Sequence, residues 1–528
     1  MGTYLNPGSS GFERIVAGEY IDKTMLIEEI NKTIGTTASL TCISRPRRFG
    51  KSFAAQMLCA YYDCKCDSDS IFTNLKISKS GTYKEHINKY NVIYIDVTGF
   101  ISNLKADGKA IDDIASEISS TIRKELVSDI PEIASFEKSS DCMLEYVNRT
   151  GKKFVFIIDE WDAPIREAKD DPVTQERYLN LLREWFKNGN FTPKAVAASY
   201  MTGILPIKKD GSESAISDFK EFTIINPGKF TAFTGFTESE VKEICKEHKS
   251  DFDNMKEWYD GYDFELSEPI YNPFSVMSAV EMNSFESYWQ KTSASENLFT
   301  YIDMNFEGLQ DDIVRLISGE QIEVNINGFS NDIKSFNSKD DILTLLIHLG
   351  YLAYDRNSKT VKVPNKEVAS EFQDLIRNPG KHRLAELIKE SDDLLDATYQ
   401  MDEDYVAKTI DKIRQSSYAP TFYNNEQALR YVIKFAYITC VDRFLRVEEL
   451  PSGKGVADVV YIPKNRAKDP AIVVELKWDK SGEAAIEQIK QKNYPSIFSG
   501  YDGDVLLVGI NYDEKNKMHT CKIEKIRI

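Results

Sequence analysis

The nine residues Ser44-Arg-Pro-Arg-Arg-Phe-Gly-Lys-Ser52 constrain the fold more than any other stretch of this chain. Ahead of them, Ala38–Ile43 reads as a short buried strand; behind them, Phe53–Tyr62 has the apolar spacing of a helix packed on a sheet. A strand, a tight loop ending Gly-Lys-Ser and a helix together frame a phosphate-binding P-loop. Gly50 lets backbone N–H groups turn inward, Lys51 reaches the β- and γ-phosphates, and Ser52 offers a hydroxyl to Mg²⁺. The helix start places its positive dipole end behind the anion. Arg45 stands where the general pattern has glycine, and Pro46, Arg47 and Arg48 fill the loop.

A second motif fits the first. Lys153–Ile158 is a continuous apolar run ending in Asp159-Glu160-Trp161-Asp162, as expected of a central parallel strand buried on both faces. Carboxylates at its C-terminal end lie where an open α/β sheet binds ligands. Asp159 fits the group that holds Mg²⁺, and Glu160 the base that polarises an attacking water. Lys194–Gly203 gives another buried strand, whose Thr202 either senses the γ-phosphate or caps the strand. Asn91–Val97 and Phe222–Ile225 complete the expected strands, and Ala110–Leu126 is a helix by its isoleucine spacing.

A length of 528 residues asks for two to four domains. A net charge of −17 argues against general affinity for nucleic acid but leaves room for a local basic groove. The eight cysteines and five histidines show no zinc spacing, so reduced thiols in or near cores are expected. No apolar run reaches bilayer-spanning length, and the first residues lack a signal peptide's basic and apolar parts. A cytoplasmic protein without a membrane partner is the expectation.

From about residue 231 the pattern turns helical. Thr237-Glu-Ser-Glu240 reads as a capping box, Tyr271-Asn-Pro-Phe-Ser275 opens another helix, and Asp341–Leu352 feeds a small β-wing near residues 360–365. The expected segments are a P-loop core at 1–230, a helical and winged-helix-like region at 231–379, a polar helical connector at 380–415, and a small α/β domain at 416–528.

Several stretches recur in a family's order: Tyr20-Ile-Asp-Lys-Thr24, the arginine-rich loop, Ile158-Asp-Glu-Trp-Asp-Ala-Pro-Ile165, Thr202-Gly-Ile-Leu205, Gly261-Tyr262 and Tyr271–Ser275. In them the chain resembles the bacterial AAA-ATPase-like family with a C-terminal PD-(D/E)xK nuclease-like domain. The resemblance spans nearly the whole chain. It implies ATP as ligand and makes Arg45, Arg47, Arg48, Phe49, Gly50, Lys51, Ser52, Asp159 and Thr202 the nucleotide-binding set. Lys220-Glu221 departs from it, standing where paired asparagines are expected.

The C-terminal part carries its own chemistry. Gly455–Ile462 is a strand holding one acid, Asp458, among apolar residues, and Ala471–Trp478 is a second strand with Glu475 and Lys477. Residues i and i+2 of a strand share a face, so Glu475 and Lys477 point together. Asp458 on the adjoining strand can then meet Glu475 over one divalent ion, Mg²⁺ or Mn²⁺, while Lys477 orients or deprotonates a water. Glu426 can complete the metal site from a preceding helix, and Gln488 follows on the next. This is the Asp…Glu-x-Lys arrangement of PD-(D/E)xK nucleases.

The expected protein is therefore α/β, with a P-loop NTPase core, a winged-helix-like middle and a nuclease-like C-terminal domain. ATP hydrolysis and metal-dependent phosphodiester cleavage, in DNA before RNA, are the expected activities, and a homo-oligomer is compatible with them. Two alternatives stand beside this: a nucleotide-dependent signalling switch with a nuclease effector, and a non-catalytic protein that binds ATP and nucleic acid.

Overall fold

In the computed structural model the described residues are 2–527, leaving out 208, 211–212, 215, 217, 263–267, 290–305, 307, 318, 330–335, 378–382, 416–428, 431, 434–435, 438–439, 453–454, 465–468 and 492–502. Contacts group the chain into two compact units. The first takes residues 1–291 and 323–368; the second takes 292–322 and 369–528.

The first unit is built on a parallel sheet. Its strands are β1 (Leu40–Ser44), β2 (Asn91–Asp96), β3 (Phe154–Asp159), β4 (Val196–Gly203) and β5 (Lys220–Phe222), in the order β2-β3-β4-β1-β5. Their uniform direction and the β2/β3 register, Asp96 beside Asp159, bring the C-terminal ends to one edge. Alternation along β3 sorts its side chains between two cores. Phe154, Phe156 and Ile158 pack with Ile118, Tyr146 and Trp185, whereas Val155 and Ile157 pack with Met57 and Leu58 of α1 (Lys51–Tyr62). Burial on both faces explains why β3 reads as one apolar run. The last strand lies slightly earlier than expected, at Lys220–Phe222, where it pairs with β1 along its edge.

The 231–291 part belongs to this unit. The capping box at Thr237 and Glu240 opens the helix Glu238–His248, and Asn272 caps the helix Pro273–Met282. The helix Lys339–Leu349 runs into an antiparallel hairpin, β6 (Ala353–Asp355) and β7 (Thr360–Lys362), which is the expected wing.

The second unit holds a mixed sheet, β8 (Phe444–Ser452), β9 (Gly455–Pro463), β10 (Ala471–Trp478), β11 (Asp504–Asp513) and β12 (Met518–Arg527), in sequential order. Only β10 and β11 run parallel, and the helix Gly482–Gln491 crosses between them. Gly509 in β11 allows the close approach: a Cβ there would collide with the Gly482 carbonyl and Ala485. Helices Arg383–Gln400 and Glu403–Gln415, expected as a polar connector, instead form the wall of this unit's core. Leu394, Leu395, Val406, Ile410 and Ile413 are buried with Val474, Leu476, Val508 and Ile510. Their polar outer faces hid an apolar stripe. Leu429, Val432, Ile433 and Ala436 join the same core as anticipated, while the Asn378-Pro-Gly stretch, Tyr423–Glu426, Phe435 and Tyr494 lie outside the described residues. No helix among the described residues is long and apolar enough to cross a membrane. All eight cysteines are free.

Candidate functional site

A cleft of about 750 Å³ opens at the C-terminal edge of the parallel sheet. Arg47 to Ser52, Tyr94, Asp96, Asp159, Glu160 and Arg166 line it, with an apolar side supplied by Tyr20, Phe236 and Met277. Gly50, at φ 81°, turns the chain into α1 in a left-handed conformation that L side chains disfavour. Lys51 is buried and folded back on its own loop, donating to the carbonyls of Arg45 at 3.1 Å and Pro46 at 2.9 Å. Its Nζ is also 3.5 Å from Glu160 Oε1.

Asp159 ends β3 almost fully enclosed. Burial raises its pKa, opposed by hydrogen bonds from the Ser52 and Thr202 hydroxyls. A carboxylate and a hydroxyl in contact are hard oxygen donors of the kind Mg²⁺ takes, so Ser52 and Asp159 fit that ion. Glu160 follows at φ 56°. Burial pushes its pKa up, but the cations Lys51, Arg166 and Arg47 together outweigh burial and hold it below the usual glutamate range.

Four expected nucleotide ligands sit differently. Arg45 is 1% exposed and donates to the Ser44 carbonyl at 2.9 Å and the Phe222 carbonyl at 3.0 Å, which ties β1 to β5. It is outside the cleft lining, and burial lowers its pKa to about 10. Thr202 is fully buried behind the acids: its hydroxyl donates to Asp159 and accepts the Glu160 N–H at 3.3 Å, so it braces the carboxylates. Arg48 donates to the Tyr288 carbonyl at 2.6 Å and stacks 4.0 Å over the Phe274 ring. Phe49 packs edge-on against Tyr262, and its carbonyl accepts the Gly235 N–H at 3.0 Å. The middle of the loop thus grips the following helical segment, leaving Arg47, Lys51 and Ser52 at the acids.

Sequence reasoning missed Arg166. Its Nη2 is 2.8 Å from Glu160 Oε2 and its Nε 3.0 Å from Asp162 Oδ2. The four-residue spacing from Asp162 into the helix Ala163–Glu167 was the available signal.

The second unit brings the other candidate residues together. Val459 pairs with Val474, so Asp458 of β9 lies opposite Glu475 of β10. Asp458 Oδ2 accepts the Leu476 N–H at 2.9 Å. Glu475 and Lys477 are both buried, with Lys477 Nζ 3.1 Å from Glu475 Oε1 and 3.0 Å from the Leu476 carbonyl. The Gln488 amide donates to the same Glu475 oxygen. Two facing carboxylates beside a backbone carbonyl fit a divalent ion by donor type. Arg430, unforeseen, lies 2.6 Å from Asp458 Oδ1 and must yield to such an ion. Glu426 lies outside the described residues.

Residues 8–212 match the AAA-ATPase_like family, described as a predicted AAA-ATPase. Over those residues the chain is similar to predicted AAA-ATPases. A protein from the vnfD 5′ region of Azotobacter chroococcum mcd 1, called uncharacterized, is 22% identical over 294 residues, 54% of this chain and 53% of that protein. The chain therefore matches about half the length of this curated relative. Among solved structures, Cdc6p of Pyrobaculum aerophilum is 10% identical with a TM-score of 0.27, covering 69% of this chain and 98% of its own. The ORC2 protein of Aeropyrum pernix, as ADPNP–ADP complexes, is 10% identical with a TM-score of 0.32, covering 69% and 97%. Both scores are too low for either structure to bear on the site.

Proposed function

We propose that this chain joins an ATP-hydrolysing P-loop domain to a metal-dependent centre that cuts phosphodiester bonds, with DNA as the substrate. In the first unit Lys51 and Arg47 take the nucleotide phosphates, Ser52 and Asp159 hold Mg²⁺, and Glu160 receives the proton of the attacking water. In the second, Asp458 and Glu475, with Glu426 as a further ligand, hold Mg²⁺ or Mn²⁺. Lys477 orients the nucleophilic water, and Gln488 fixes Glu475.

The observation that carries the nuclease reading is the placement of Asp458, Glu475 and Lys477 on adjoining strands, with Glu475 and Lys477 buried beside each other at 3.1 Å. Incubating plasmid with purified protein, Mg²⁺ or Mn²⁺, and with or without ATP tests it. Cleavage that needs the metal and disappears on chelation is expected; an intact plasmid under every condition overturns the nuclease reading. The Arg430–Asp458 contact favours a second reading, in which the metal centre is held off until nucleotide signals its release. Cleavage that requires ATP distinguishes that switch from a constitutive nuclease. A homo-oligomer is part of either proposal.

A further inference from the structure

Glu160 is held from two sides by cations with different freedom. Lys51 approaches Oε1 at 3.5 Å and is otherwise bonded only weakly into its own loop, through carbonyls that a phosphate outcompetes. Arg166 approaches Oε2 at 2.8 Å and cannot follow a ligand, because its Nε is fixed on Asp162 at 3.0 Å. Asp162 is itself fully buried, and its Oδ2 accepts the N–H groups of Ile204 at 3.2 Å and Leu205 at 2.9 Å, just beyond β4. Arg166 therefore stands on a rigid post, while Lys51 sits on a ligand-responsive loop.

We propose that Arg166 is the positioning residue for ATP hydrolysis, holding Glu160 in place after the nucleotide draws Lys51 away; this rests on the reading of Glu160 as the base. With Oε2 pinned by Arg166, Oε1 is freed to face water. The water oxygen bonds to Pγ, and the bond from Pγ to the β–γ bridging oxygen breaks with its electron pair remaining on ADP. The water proton passes through Oε1 to the released phosphate. The Lys51–Glu160 contact keeps the base occupied until nucleotide draws Lys51 away.

The groups facing Glu160 are Lys51, Arg47 and Arg166 as cations and Asp159 as an anion, with Asp162 behind Arg166. The experiment measures ATP affinity and kcat for wild type, Arg166→Met, Arg166→Gln, Arg166→Lys and Glu160→Gln. Arg166→Met should keep ATP affinity within about threefold and lose about 100-fold in kcat, the scale of a misplaced catalytic group. Arg166→Lys, which keeps the cation beside Glu160, should restore part of kcat. Arg166→Gln, which keeps a donor for Asp162, should show the same kept affinity and lost kcat if Arg166→Met does not fold. An unchanged kcat in Arg166→Met, or no recovery of kcat in Arg166→Lys, with Glu160→Gln inactive, overturns the role of Arg166 and leaves Glu160 as the base. Wild-type hydrolysis by Glu160→Gln overturns both.

Discussion

Arg430 Nη2 lies 2.6 Å from Asp458 Oδ1, a cation seated on the carboxylate that faces Glu475 across two strands. The ion pair satisfies a charge that apolar strands would otherwise strand, and it competes with any metal for the same oxygen. Arg430→Gln should therefore tighten Mn²⁺ binding by about tenfold, equivalent to roughly 1.4 kcal/mol. Asp458→Ala and Glu475→Ala should abolish both binding and cleavage. Lys477→Ala should lose cleavage while keeping or improving Mn²⁺ affinity, since a cation beside the ion is gone. Calorimetric Mn²⁺ titration decides: unchanged affinity in Asp458→Ala and Glu475→Ala would make these residues a structural ion-pair network, and the nuclease reading would fall.

At the P-loop, binding and hydrolysis should separate. Lys51→Ala removes a compact cation from the phosphates and should weaken ATP binding by about 10- to 100-fold, the worth of a charge-assisted hydrogen bond. Glu160→Gln should hold affinity within about threefold and lose about 100-fold or more in turnover, because an amide does not accept the water's proton. Equal turnover in Glu160→Gln and wild type would remove Glu160 from the chemistry.

The loop's grip on the helical segment gives a third expectation. Arg48 holds the Tyr288 carbonyl, Phe49 packs on Tyr262, and Tyr262 donates to the Gly350 carbonyl at 2.6 Å. A nucleotide that rearranges the loop should therefore change amide-exchange protection in residues 231–289 and 336–365. Identical protection with and without ATP would show that this segment is a fixed support.

His348 supplies a pH dependence. It is 3% exposed, its ring tilted against that of Phe329, and burial lowers its pKa to about 3. Between that value and the unfolded value near 6.5 the unfolded chain binds the extra proton, so stability is complete above about pH 6.5 and falls as the pH drops. The loss approaches about 1.4 kcal/mol per pH unit across this window. His348→Leu should flatten the slope between about pH 6.5 and 4.5 in denaturant titrations. An unchanged slope would assign the acid sensitivity to other groups.

Much of the frame was legible because it repeats locally. The apolar run of β3, the Gly-Lys-Ser turn into α1, the Thr237 capping box and the Glu475/Lys477 alternation each depend on neighbours within a few residues. The 380–415 helices read as a connector because charged and polar residues separate the members of the stripe Leu394, Leu395, Val406 and Ile410 that packs with the sheet.

The sequence by itself determined the strand–loop–helix of the phosphate site, the acids at the end of β3, and the facing acids of the second unit. It did so because spacing along a strand or helix dictates which side chains share a face. Only the tertiary structure decided where the arginines go. Arg45 turns inward to carbonyls of two strands, Arg166 bridges Glu160 and Asp162, and Arg430 reaches Asp458 from 28 residues away. A buried charge takes whichever partner the folded chain brings within reach, and that partner comes from packing between segments rather than from local spacing.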